Sequence, residues 1–112
     1  MDFSVIEKVI GAYKIWHGWL EHLPKISRYT LGVKIDNLFL ELAEEIFSAG
    51  YATDKGKFKI ITKASNILDR LKLMLKISWE IKILDQKKYA AISIPLAEAG
   101  KMIGGWKKQL KQ

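Results

Sequence analysis

The 112-residue sequence has no cysteine. That excludes a disulfide framework, a thiolate-held metal and a cysteine nucleophile. Two prolines and eight glycines leave no room for a long linker, and we expect a single domain over 1–112. No apolar run approaches the ~18 residues of a membrane span. The start, Met1-Asp2-Phe3-Ser4, carries an acid where a secretory signal would be basic. The expectation is a cytoplasmic protein without a membrane partner.

Acidic residues are scarce in the second half of the chain. Residues 57–112 hold thirteen basic and four acidic side chains, a net charge of +9, whereas residues 1–56 hold six and eight, a net of −2. Such asymmetry points to an anionic partner; the alternative is a surface that lysine merely keeps soluble.

Apolar spacing predicts four helices. Ile6, Val9, Tyr13, Trp16 and Leu20 mark one face of a helix from about Ser4 to His22, with Ser4 and Glu7 spaced as a capping box. Pro24 ends that pattern. A second helix begins near Ser27, with Leu31, Ile35, Leu38, Leu42 and Ile46 in period, and fades at Gly50. Asp54-Lys55-Gly56 reads as a turn with Gly56 free to take a positive φ. The third helix, about Lys57 to Leu84, carries Ile60, Ala64, Ile67, Leu71, Met74 and Ile81 on one side. Asp85 is the expected cap of a fourth helix running to about Leu110, in which Pro95 predicts a kink or break near Ile92. Four amphipathic helices on short connections predict an all-α, up-down-up-down four-helix bundle.

The spacing offers no site for catalysis, a metal or another cofactor. The Glu-x-x-His pairs of a di-iron bundle are absent, and His17, Glu21 and His22 make too small a ligand set. No phosphate-binding Gly-x-x-x-x-Gly-Lys loop occurs, and Gly100, Gly104 and Gly105 read as close helix packing or a C-terminal turn. Glu44 and Glu45 point about 100° apart on a helix and do not form a catalytic pair. An enzyme is not expected.

What the sequence does hold is a basic helix face. Lys59, Lys63 and Arg70 fall close together on the third helix, with Lys72 and Lys76 further round. Lys59 to Lys76 would extend ~25 Å, long enough to track several phosphates. Arg70 alone offers a forked phosphate contact. Lys87 and Lys88 open the fourth helix; Lys107, Lys108 and Lys111 close it, where they also suit the helix dipole. Lys25 and Arg28 lie in the first connection. Trp79, off the main apolar face, and Trp106 are the candidate interface residues.

Three segments carry a family resemblance. Leu23-Pro24-Lys25-Ile26-Ser27-Arg28-Tyr29-Thr30-Leu31-Gly32 opens the second helix, Glu98-Ala99-Gly100-Lys101-Met102-Ile103-Gly104-Gly105-Trp106 closes the fourth, and Ala64-Ser65 leads into Leu68, Leu71 and Leu75-Lys76 between them. In this order the segments resemble the accessory variability determinant (Avd) proteins of diversity-generating retroelements. The resemblance spans nearly the whole chain. It implies a four-helix bundle assembled into a homopentameric ring, and a non-catalytic partner of the retroelement reverse transcriptase that binds nucleic acid and supports mutagenic retrohoming. It marks Arg28, Arg70 and Lys76 as candidate binding residues, although Lys76 stands where the family often has arginine, and Pro95 departs from the pattern. The ligand would be RNA, DNA or their hybrid, since a basic helix face reads backbone charge alike in all three. Proteins encoded by intervening sequences of 23S rRNA genes resemble the same bundle and are the alternative, together with a purely structural basic oligomer.

Overall fold

The computed structural model describes residues 4–111, and every regular element among them is helical. Helix α1, Ser4–Trp19, ends in one 3-10 turn, Leu20–His22. Leu23 is then extended (ψ 147°), as a residue before proline must be, and Pro24 starts the next helix. That helix, α2, covers 25–49 in three pieces: a single turn Lys25–Ser27, a π-helical segment Arg28–Gly32, and the α-helical Val33–Ala49. Helix α3 is Asp54–Glu80 and α4 is Gln86–Lys111. Each helix packs on its neighbour in sequence, and α1 also packs on α4, which closes a square. Lys8 pairs with Glu98 while Lys88 lies over Trp19, so α1 and α4 are antiparallel. The result is the expected up-down-up-down bundle, 45 × 22 × 19 Å.

One apolar cluster fills the bundle. Val9, Trp16, Phe39, Leu42, Ile61, Leu71, Ile92 and Leu96 are among its fully enclosed members. Tyr13 meets Phe39 edge-on and Trp16 stacks on it, with centroids 5.6 and 6.4 Å apart, which locks α1 to α2. Trp79 stacks almost flat on Tyr89 at 4.9 Å where α3 hands over to α4.

Three boundary expectations are corrected. Asp54-Lys55-Gly56 is the first turn of α3 and not a loop, and no glycine among the described residues has a positive φ. Thr53 is extended, and its carbonyl accepts the Lys57 N–H at 2.8 Å, while Asp54 suits the positive helix start. The third helix ends at Glu80 rather than Leu84. Lys82 takes the left-handed conformation (φ 66°) that closes helix ends, and the N–H groups of Ile83 and Leu84 both donate to the Ser78 carbonyl. Ile81 is therefore exposed and outside the core. Pro95 does not break α4, which runs through it without interruption. The proline ring removes the bond to the carbonyl of Ala91 and crowds that carbonyl, and because Ala91 is exposed, water can take the vacant place. The cap at Asp85 is as expected: its Oδ1 accepts the Lys88 N–H at 2.8 Å.

The glycines divide. A Cβ on Gly100 would lie 3.1 Å from the Lys72 ammonium and 3.4 Å from Leu68, so this glycine does serve close packing of α4 on α3. Gly11, Gly18, Gly104 and Gly105 face open space, and none of them marks a helix end.

Candidate nucleic-acid interface

The bundle turns the charge asymmetry of the sequence into an asymmetry in space. Helices α1 and α2 form one side, while α3 and α4 form the basic side. The α3 cations project from the exposed arc of that helix, but they do not act as one stripe. Lys63, with Lys59 and Arg70 beside it on the helix, borders α2 where that helix presents Glu41 and Glu45. Lys63 is paired with Glu45 at 3.0 Å. Hydrogen bonding to that carboxylate, and its charge, hold the Lys63 ammonium above its ordinary pKa, while neighbouring Arg70 pulls the other way. Part of the charge on this flank is thus already neutralised.

Lys72 and Lys76 lie toward α4 and have no carboxylate partner among the described residues. Lys72 borders a groove of about 230 Å³ between α3 and α4 whose other walls include Leu75, Tyr89, Ser93 and Ala97. Lys87 is exposed in the first turn of α4. Free ammonium groups beside a groove with an aromatic wall are the chemistry of backbone-charge and base-face recognition. Lys101 and Lys82 are also exposed. Neither stands out in the sequence: Lys82 lies in the turn after α3 and Lys101 within α4, away from the α3 lysines.

The remaining cations are engaged or distant. Lys88 lies 5.8 Å from the centre of the Trp19 ring, a cation–π contact between α4 and α1. Lys107 is half-buried and Lys108 exposed near the far end of α4; the Lys111 side chain lies outside the described residues. Trp106 is half-buried against the core, and Trp79 is half-buried on the Tyr89 ring.

Arg28 is a brace. Its Nη2 donates to the carbonyls of Glu21 (2.9 Å) and Leu23 (3.1 Å), the open end of the turn after α1. Thr30 Oγ1 bonds the Ile26 carbonyl at 3.0 Å, and a Cβ on Gly32 would lie 3.3 Å from the Ser27 carbonyl and 3.6 Å from Leu23. The motif from Leu23 to Gly32 thus builds the α1–α2 corner. Arg28→Ala is expected to cost about 2 kcal/mol, the worth of hydrogen bonds from a charged donor. Urea unfolding checks this; both bonds leave the one Nη2, so Arg28→Lys is expected to recover part of the loss through an ammonium that donates to the same carbonyls.

Beside this corner, Tyr13 is pushed up in pKa by burial first and then by its hydrogen bond to Asp36. Among the described residues no group of three or more histidine, aspartate or glutamate side chains is placed to hold a metal. No helix is long and apolar enough to cross a membrane.

These features define a class: an antiparallel four-helix bundle with one strongly basic side. More specifically, the chain belongs to the bAvd-like family, whose model matches residues 4–110. Proteins of this family are generally non-catalytic accessory proteins. No curated protein and no solved structure matches the chain.

Proposed function

We propose that this protein is the non-catalytic accessory subunit of a diversity-generating retroelement, binding nucleic acid and the retroelement's reverse transcriptase during mutagenic retrohoming. In this reading it acts as a homopentameric ring in the cytoplasm, and the polymerase supplies the chemistry. The observation that carries the proposal is the family match over 4–110. The concentration of positive charge on α3 and α4, with Lys72, Lys76, Lys87 and Arg70 free to meet phosphates, supports the nucleic-acid part. Lys59 is a secondary contact, Lys63, Lys88 and Lys107 are weaker ones, and Arg28 acts through the fold of the corner.

Co-expression with the reverse transcriptase of the same locus tests the partnership. The two are expected to co-elute on size exclusion after nuclease treatment. Separate elution at moderate salt would remove the polymerase from the proposal.

A further inference from the structure

Two exposed stripes find no partner within the bundle. Along α2, Tyr29, Val33, Leu40 and Phe47, continued by Tyr51 just past its end, recur at steps of four and seven residues, all exposed, with Asn37 and Glu44 among them. On α4, Ala90, Ile94, Ala97, Lys101, Gly104 and Lys108 recur at steps of three and four, also all exposed. One stripe is large, apolar and acidic at one point. The other is small, with a single projecting isoleucine, 61% exposed, and two lysines. A contiguous row of exposed large apolar side chains marks an interaction face.

We propose that these stripes are the two halves of one head-to-tail contact between copies of this chain. Ile94 of one copy seats in the cleft between α1 and α2 of the next, and Glu44 faces Lys101 and Lys108. The inference rests on the assembly in the proposed function and supplies its faces.

Four observations select a second copy as the occupant. The cleft, about 240 Å³, is walled by Leu20, Tyr29, Gly32 and Val33 and rimmed by Arg28, Asp36 and Asn37, so an aliphatic side chain meets its apolar walls inside a polar rim. Val33 and Ile94 are each the ninth residue of helices that run the same way from the same end of the bundle, so a copy displaced sideways brings them level. Glu44 then falls at the height between Lys101 and Lys108. Both stripes repeat every seven residues, at Val33, Leu40 and Phe47 and at Ala90, Ala97 and Gly104, and parallel helices interdigitate at that spacing.

Charge selects the head-to-tail arrangement over a two-fold one. Joining α4 to α4 would oppose lysines to lysines, whereas joining α2 to α4 opposes the half of net −2 to the half of net +9. Helices α2 and α4 sit on a diagonal of the square and do not cover one another. Each added copy therefore leaves one stripe of each kind open until a ring closes.

Light scattering on the wild type, Val33→Glu and Ile94→Glu tests the proposal, with circular dichroism confirming that the helices persist. The wild type is expected to be a closed oligomer and each variant a 12.8 kDa monomer at micromolar concentration. An equimolar mixture of the variants is expected to give a one-to-one dimer, because Ile94→Glu keeps an intact α2 stripe and Val33→Glu an intact α4 stripe. A wild-type oligomer that both variants preserve overturns these faces and leaves the assembly standing. A monomeric wild type overturns the assembly and this contact together. Monomeric variants that form no dimer on mixing overturn the pairing of the two stripes.

Discussion

Lys72→Glu combined with Lys76→Glu is expected to lower affinity for a structured RNA by about tenfold or more at moderate salt. It should also reduce the slope of log affinity against log salt by about 2, one for each lost phosphate contact. The reason lies in what surrounds each lysine. Lys72 and Lys76 are exposed on the α4 side of α3 and have no carboxylate partner among the described residues, so their counterions are available for release. Lys59→Glu with Lys63→Glu changes charge by the same amount and is expected to do less, since Lys63 is already held by Glu45 at 3.0 Å. A fluorescence anisotropy titration from about 50 to 200 mM salt separates the two variants. Equal losses would show that RNA senses net charge and not the α3–α4 groove. Both substitutions are at exposed positions, and an unchanged melting curve for each would assign the effect to binding.

Phe39→Ala is expected to cost about 3–5 kcal/mol, the usual loss for emptying a buried aromatic site. Against a domain stability of about 5–15 kcal/mol, that brings the protein to the edge of unfolding. Phe39 is fully enclosed, with Tyr13 at its edge and Trp16 on its face. Deletion leaves both rings without their shared partner, and the Trp16 Nε1 already has no hydrogen-bond acceptor to hold it in place. Because α2 reaches the rest of the bundle through α1 and α3, loosening this contact frees the corner that Arg28 braces. Urea unfolding at constant m-value checks the magnitude. Ile92→Val, an equally enclosed site that loses one methyl, is the control and is expected to cost about 1 kcal/mol.

Most of the architecture was legible in the sequence because it depends on local periodicity. Apolar residues at three- and four-residue steps marked all four helices, and an aspartate before the fourth marked its cap. The charge imbalance between halves also survived folding, since neighbours in sequence are neighbours in the bundle. What was not legible depends on contacts between distant positions. Glu45 and Lys63 are eighteen residues apart, and nothing local tells Lys63 that it faces an acid across a helix seam. Arg28 looked like a loop cation because the carbonyls it holds are exposed only when the chain folds back at Leu23. The π-helical segment was hidden for a related reason: one additional residue per turn shifts the apolar face without breaking the pattern. The exposed α2 stripe did not stand out, because periodicity alone does not say which edge of an apolar face the neighbouring helices cover.

The separation of charge across the bundle has a consequence for how fast a partner is met. The −2 half and the +9 half lie on opposite sides of a body 45 Å long and about 20 Å across, so each molecule carries a permanent dipole perpendicular to its long axis. Near a polyanion that dipole turns the molecule before contact, so collisions occur preferentially through α3 and α4. Orientation of this kind is a rate effect. Raising the ionic strength shortens the distance over which the torque acts, to about 8 Å at physiological salt, and slows productive encounter in addition to weakening the bound state.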